Sequence, residues 1–520
     1  MRKRRKPAAG EIIIIAVISI IIVISCIVFI TRAGEHNELF RREDGTGPGT
    51  ESENGDDFLN GLEHSNDLNH GYDTGSVPAT ESSSARAEPA DRMYIIDMVK
   101  SNPGFPRIAA ELNDEALSHN TAGVSLVVYD GYAGLFYTYQ HGFADRAAGR
   151  PIDIDTKIRV ASLSKLVVAI CAMKLVDTGG LDLDEDISSY LGYQVRSPHY
   201  PDLPITSRML LQHTSSIHDS AAFNDSIMGG ARVSTESLLE RGSSYMIARP
   251  GSTFIYSNFG YSVLAAVIEF ISGMKLDAYA KQVLFDRLDI DAAFHAFNLN
   301  DNSNIAVLYD SAHNVIRTAE EQIDNNRPGD IGQDQHIAQG GLTISPFDYA
   351  KILAMLGNGG ELFGDRILSS EAVAEIHRAD VTGPGYMHGL STRFTDGGDA
   401  ELASEINAIV ITGDEDVDSL TVQSGERDDT EIWRNITING LTEPSEGFFW
   451  HTGSAHGVFA QYIYVAGSGT NEGAGGVFTS RGVVAVTTGA STGRMENGMI
   501  NVCNHLSEIA WRGLGFNEIN

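Results

Sequence analysis

The sequence predicts an α/β protein of the α+β kind. One antiparallel sheet is flanked by helices and joined to a mostly helical subdomain, behind an N-terminal transmembrane helix. Three observations predict this. Strand-like runs stand near both ends of the globular part, at 122–129 and 134–140 and again at 458–466 and 483–488. The stretch between, 176–345, reads mostly as helix and loop, so the end strands must meet in one sheet with the helices inserted between them. Residues 12–30 are a nineteen-residue, largely apolar run behind the basic Arg2-Lys3-Arg4-Arg5-Lys6, long enough to span a bilayer.

The basic flank places residues 1–10 in the cytoplasm, 11–31 in the membrane as an anchor, and the remainder outside the cell. A cleaved signal peptide is the rival reading, but no small-x-small site ends the run and it is long for such a segment. Val23-Ile24-Ser25-Cys26 resembles a lipobox, yet Ile27-Val28-Phe29-Ile30 continues the apolar run as a membrane interior would. Residues 32–92 are an acidic linker rich in Gly, Ser, Asn, Asp and Glu, unable to bury enough surface to order itself. As a flexible coil it would reach on the order of 40 Å.

From Met93 the composition is globular, and 93–520 reads as one domain with an acidic insertion at 393–447. Within the insertion, Asp414-x-Asp416-x-Asp418 resembles a calcium loop. Ser419 replaces the turn glycine, however, and Gly425 stands where the bidentate glutamate belongs, so a solvated surface loop is expected. The chain has 520 residues and a formal charge of −32, which argues against nucleic acid and anionic lipid as partners. Its three cysteines make no disulfide framework, and Cys171 reads as a small core residue. No Cys/His cluster suggests a metal, and no cofactor is expected.

In order, 93–117 is helical, and the link Asp130-Gly131-Tyr132-Ala133 makes 122–140 a hairpin. Ile158 and Val160 form a short strand running into Ser162. An amphipathic helix follows, with Leu166, Val167, Ile170, Met173 and Leu175 on its apolar face. Two helices flank Gly357-Asn358-Gly359-Gly360, and 495–513 closes the domain as a helix.

Ser162 and Lys165 are three apart and share a face if the helix starts near Ser162. A serine hydroxyl is a poor nucleophile until a base takes its proton, and a helix N-terminus stabilises nearby negative charge. Chance Ser-x-x-Lys matches are expected in a long chain. Ser272-Gly273-Met274-Lys275 is one, and it reads as a helix C-cap. Two further stretches follow: Tyr256-Ser257-Asn258, near the start of an apolar helix, and His451-Thr452-Gly453-Ser454, on or beside an edge strand facing the site. There His451 is a candidate cation or donor for a substrate carboxylate, and Gly453 would let a substrate backbone approach.

Taken in order, Ser162-x-x-Lys165, Tyr256-x-Asn258 and His451-Thr452-Gly453 make the chain resemble the serine β-lactamase family: class C β-lactamases, D-Ala-D-Ala carboxypeptidases and related esterases. The resemblance spans about 93–515 without the insertion. It also includes Gly179-Gly-Leu-Asp-Leu-Asp-Glu185 and Ile205-Thr-Ser-Arg-Met-Leu-Leu-Gln-His-Thr-Ser215. In the family the stretch at His213 and Thr214 usually continues Ser-Gly-Leu-Pro. Here it is Ser215-Ser216-Ile217-His218, which would alter a loop and leave the chemistry intact. The third motif is histidine-led, unlike the lysine of typical class C β-lactamases, which lowers the expectation of efficient antibiotic hydrolysis.

The resemblance implies a β-lactamase/transpeptidase-like fold and an acyl-enzyme mechanism. It implies Ser162 as nucleophile, with Lys165 and Tyr256 sharing the general-base work. Asn258 would hold the substrate amide, and His451, Thr452 and Gly453 would line the far wall. The N–H groups of Ser162 and Ser454 would form the oxyanion hole. His213 is expected to be structural. The expected substrates are small peptides ending in D-amino acids, esters or β-lactams, with the bacterial membrane and possible contact with cell-wall peptidoglycan as surroundings. A catalytically silent penicillin-binding or wall-interaction protein is the rival of another class. A sensor would need more than the ten or so residues that precede the apolar run.

Overall fold

The structure, a computed structural model of the chain, describes residues 105–131, 135–228, 233–324, 329–332, 337–384, 386–395, 447–467, 480–491 and 499–514. The apolar run 12–30, the linker, residues 93–104 and the stretch 396–446 with its calcium-like aspartates lie outside them.

The elements that position the site are these, in chain order. First come α1 (Phe105–Ser118), β1 (Gly123–Asp130), β2 (Leu135–Asp145), β3 (Arg150–Pro151), β4 (Ile158–Arg159), α2 (Ser164–Asp177) and α3 (Asn258–Ser272). Then follow β5 (Thr343–Ile344), α4 (Pro346–Gly357), α5 (Ser370–His377), β6 (Val381–Gly383), β7 (Tyr386–His388), β8 (Arg393–Thr395), β9 (Phe448–Ala455), β10 (Val458–Val465), β11 (Arg481–Thr488) and α6 (Asn501–Gly513).

The end strands meet as the sequence predicts. Nine strands form one antiparallel sheet in the order β6-β7-β8-β9-β10-β11-β1-β2-β3. The junction of early and late chain is β1 against β11, paired from Gly123 with Thr488 to Asp130 with Arg481. Successive side chains of β1 go to opposite faces. Val124, Leu126 and Val128 pack with Ile108 and Leu112 of α1 and with Val502, Leu506 and Trp511 of α6. Val127 and Tyr129 pack on the other side with Phe347 of α4 and the helical region. Both faces of β1 are therefore covered, which is why it reads as an unbroken apolar run.

The helix after Ser162 differs from the expected amphipathic one. Leu166, Val167, Ile170 and Met173 are buried, but so are Val168, Ala169, Cys171 and Ala172 on the other sides. A helix apolar all round belongs inside. α2 runs through the helical region among α3, α5 and the short helix Ile337–Gly340. In α3, the Ser257 hydroxyl accepts from the Gly260 N–H at 2.8 Å, and Gly273 ends the helix at φ +67°. The second Ser-x-x-Lys match is thus a cap, and Lys275 pairs with Glu269 at 2.8 Å.

One boundary changes. The insertion does not begin at 393, because Arg393–Thr395 is strand β8, with Thr395 paired to Phe448. Acidic composition downstream hid three residues that find partners in Phe448, Phe449 and Trp450. In addition, β9 is not an edge strand, since β6, β7 and β8 lie outside it. But β8 reaches only as far as Trp450, so His451–Ala455 is paired on one side only, by β10.

Candidate active site

The nucleophile turn sits where the helical region meets β9. β4 pairs with β5, and the Val160 N–H donates to the Leu342 carbonyl at 2.9 Å. Ala161 then takes φ +48°, and Ala161–Leu163 form a single 3₁₀ turn ahead of α2. A left-handed non-glycine residue costs roughly 1–2 kcal/mol, so the surroundings must impose it. The Ser164 hydroxyl donates to the Ala161 carbonyl at 2.6 Å, and the Leu342 N–H donates to Ser164 Oγ at 3.0 Å. The Tyr349 hydroxyl donates to the Leu163 carbonyl at 2.9 Å. Ser162 lies in this fixed turn, half-buried, with Lys165 one helical turn on.

Lys165 is wholly buried, and burying an ammonium costs several kcal/mol unless its hydrogens are bonded. They are: Nζ donates to Ser162 Oγ at 3.2 Å, to Asn258 Oδ1 at 2.8 Å and to the Gln339 carbonyl at 2.8 Å. Asn258 Nδ2 in turn donates to Asp219 Oδ2 at 2.8 Å, while the Phe259 N–H donates to Asp219 Oδ1 at 2.8 Å. The amide is thereby oriented by a cation on one side and a carboxylate on the other. Burial pushes the Asp219 carboxyl above the usual range, against the pull of these donors and of Lys165.

Tyr256 stands against this group. Its ring centre is 4.9 Å from Lys165 Nζ and 4.4 Å from the His213 ring. His213 carries out the structural role expected of it. Its carbonyl accepts from the Ile255 N–H at 2.7 Å and its Nδ1 accepts from the Ser257 N–H at 3.1 Å, fixing the backbone on both sides of Tyr256. Ser216, in place of the family's glycine, adopts φ +66°, so the loop keeps a left-handed bend without glycine.

On the opposite wall, a Cβ on Gly453 would stand 2.5 Å from the Val160 carbonyl and 3.1 Å from the Ser162 nitrogen. The glycine admits the nucleophile turn itself, a close approach beside the substrate approach expected of it. It also brings the Ser162 N–H to the strand that carries Ser454. His451 differs more. It is 1% exposed, and burial, with Arg393 and Lys165 nearby, holds its imidazole well below the usual histidine range. It is therefore neutral, and the expected cation is absent from it. Its Nδ1 lies 2.7 Å from the Thr452 carbonyl, which can only accept, so Nδ1 carries the hydrogen and Nε2 presents a lone pair. In this tautomer Nε2 is a buried acceptor without a partner among the described residues.

A buried cation does stand beside Thr452, at Arg393, which the sequence assigns to the acidic insertion. Its guanidinium lies 4.7 Å from the Tyr386 ring centre and 4.9 Å from that of Trp450, and it is 7% exposed. Nη1 is 3.4 Å from Thr452 Oγ1, and Nε has no partner among the described residues. Asp219 was missed too. A lone aspartate in a loop carries no motif, and only the fold sets it against Asn258.

The beta-lactamase family model matches residues 105–498. Among characterised proteins, Esterase EstB of Burkholderia gladioli is 31% identical over 186 residues, covering 33% of this chain and 47% of the esterase. The D-alanyl-D-alanine-carboxypeptidase/endopeptidase AmpH of Escherichia coli is 29% identical over 179 residues, 32% of this chain and 45% of AmpH. The chain thus spans about half the length of these relatives. Among solved structures, a beta-lactamase/D-alanine carboxypeptidase from Pseudomonas syringae shares the fold with a TM-score of 0.55 at 17% identity, covering 80% of this chain and all of that one. A class C beta lactamase from Rhodobacter sphaeroides gives 0.53 at 17% identity, covering 78% and 98%.

Proposed function

The chain belongs to the beta-lactamase family, and from its site we propose that it is a serine hydrolase that forms an acyl-enzyme on Ser162 and prefers acyl donors ending in a carboxylate, such as D-amino-acid peptides. The observation that carries the preference is Arg393, a buried guanidinium beside Thr452 on the strand that packs against the nucleophile turn. Among the described residues no carboxylate faces this guanidinium, and a buried cation left unpaired is costly. A peptide carboxylate at Arg393 and Thr452 lays the scissile carbonyl toward Ser162.

The ammonium of Lys165 commits its three hydrogens to Ser162, Asn258 and Gln339 and has no lone pair left. The Ser162 hydroxyl proton then passes to the oxygen of Tyr256 in its phenolate form as Oγ attacks the carbonyl carbon, leaving Tyr256 protonated. The N–H groups of Ser162 and Ser454 receive the oxyanion. Collapse expels the amine or alcohol, which takes the proton from Tyr256, and water repeats the sequence on the acyl-enzyme. Asn258 holds the acyl amide, and His451 accepts a substrate N–H. Small esters enter the same cycle without using Arg393. The basic flank and the apolar run support an anchored enzyme with its catalytic domain outside the membrane.

One probe examines nucleophile and topology together. A membrane-impermeant fluorophosphonate is expected to label the protein on intact cells at Ser162, and Ser162→Ala is expected to abolish labelling. Labelling mapped to Ser272 overturns the nucleophile. Labelling that requires lysis overturns the topology alone.

A further inference from the structure

Away from the cleft, α1 and α6 bring three ligating side chains together on the outer face of the domain. Glu115 and His119 are four residues apart at the end of α1, and His505 comes from α6. His119 Nε2 lies 3.0 Å from Glu115 Oε1, and His505 Nδ1 lies 2.8 Å from the same oxygen. The three ligand atoms all lie within 4.8 Å of one another. Beside them, Glu115, His505, Glu508, Ile509 and Arg512 line a cavity of about 240 Å³. Along the chain these residues form no metal motif, since nearly four hundred positions separate Glu115 from His505.

The hydrogen-bond count at His119 is the informative part. Its Nδ1 faces the Ser491 carbonyl at 3.4 Å, an oxygen that can only accept. With the hydrogen on Nδ1, Nε2 turns its lone pair toward a carboxylate oxygen, and that oxygen also faces the nitrogen of a second imidazole. Both imidazole nitrogens thus converge on one carboxylate oxygen, an arrangement that suits a cation as well as a shared proton. A ring held at one nitrogen by a backbone carbonyl, with the other free to ligate, is the usual support behind a metal-bound histidine. Two imidazoles and one carboxylate suit zinc, with metal–ligand distances of about 2.0–2.2 Å. Such ligands stand roughly 3.4 Å apart around a tetrahedral ion, so the two separations from Glu115 Oε1, 3.0 and 2.8 Å, need open by only about half an ångström, and the two imidazole nitrogens lie within 4.8 Å of each other.

We propose that Glu115, His119 and His505 bind a zinc-type divalent cation that clamps the first helix of the domain to the last, with water in the remaining position facing the cavity. Nothing in this proposal depends on the hydrolase reading, because no residue of the cluster touches the cleft.

The test uses the full-length chain, untagged, in detergent, stripped with chelator and titrated with Zn²⁺ alone. One zinc per chain should bind at micromolar or lower concentration, and the thermal midpoint should rise by roughly 2–5 °C. His119→Gln and His505→Gln should each weaken binding at least 100-fold, while His199→Gln, an exposed histidine elsewhere, should bind as the wild type does. Co²⁺ in place of zinc should give the visible absorption of a four-coordinate site. A cooperative thermal melt reports that each variant is folded, and Glu115→Gln serves if a histidine variant is not. Undiminished binding in the histidine variants, or none at 100 μM free Zn²⁺, overturns the proposal and leaves a shared proton in the metal's place.

Discussion

Two side chains could hold a substrate carboxylate at the residue scale, and burial decides between them. Histidine titrates near pH 6.5 when unperturbed, but burial holds His451 well below that, so it is neutral around pH 7. A fall of peptide kcat/KM as pH rises through 6–8 is therefore not expected, and peptide and ester should share one profile there. Arg393→Ala should cut kcat/KM for a D-Ala-D-Ala peptide by about 2–4 kcal/mol, roughly 30- to 1000-fold, as truncating one partner of a buried charge pair does. A neutral nitrophenyl ester should change by less than about fivefold. Equal losses on both substrates would remove Arg393 from carboxylate binding. Ser216 offers a second residue-scale test. It is buried at φ +66° with a hydroxyl lacking a partner among the described residues. Ser216→Gly should stabilise the domain by about 1 kcal/mol, read as a higher urea midpoint, because glycine takes that conformation without strain.

At the element scale, the site depends on how closely β9 approaches the turn carrying Ser162. The pair meets without a side chain at Gly453, where a methyl would lie 2.5 Å from the Val160 carbonyl. That contact is with backbone and cannot be relieved by a rotamer change, so turn and strand must separate. Gly453→Ala should lower thermal stability by about 1–3 kcal/mol, as overpacking does. It should also slow acylation of Ser162 by on the order of 100-fold, because misplacing a reacting group by an ångström has that effect. Stopped-flow acylation with a chromogenic ester measures the second. A variant that loses stability yet acylates at the wild-type rate would show that the oxyanion donors do not sit at this junction.

For the whole molecule, several imidazoles are buried uncharged, which sets a limit in acid. Burial lowers the pKa of His377 and of His456 to about 4 and that of His388 to about 3, and it also holds His213 and His451 well down. In the unfolded chain each titrates near 6.5. Above that pH neither state binds these protons and stability is full. Below it the unfolded state takes them up and the folded state does not. Stability is then lost as pH falls from about 6.5 toward these lower values, by up to ~1.4 kcal/mol per pH unit for each histidine. Urea melts at constant ionic strength from pH 7.5 to 4.5 should show the midpoint falling below about pH 6.5. A flat profile would mean that these rings are protonated inside the fold.

Periodicity and local motifs determined the end strands, the helices between them, the helix stop at Gly273 and the ordered trio of Ser162-Lys165, Tyr256-Asn258 and His451-Gly453, because each is written within a few consecutive residues. The third dimension decided what those residues do. Whether α2 shows a polar face depends on what surrounds it, and its neighbours come from stretches a hundred or more positions away. Arg393 and Asp219 carry no local signature. Each matters only because a strand pairing or a loop sets it against Thr452 or Asn258. His451 was legible as a site residue but not as an acceptor, since charge and tautomer follow from burial and from the carbonyl that its Nδ1 meets. Glu115, His119 and His505 are separate in the chain and adjacent only because β1 and β11 pair, drawing the first and last helices onto one face of the sheet.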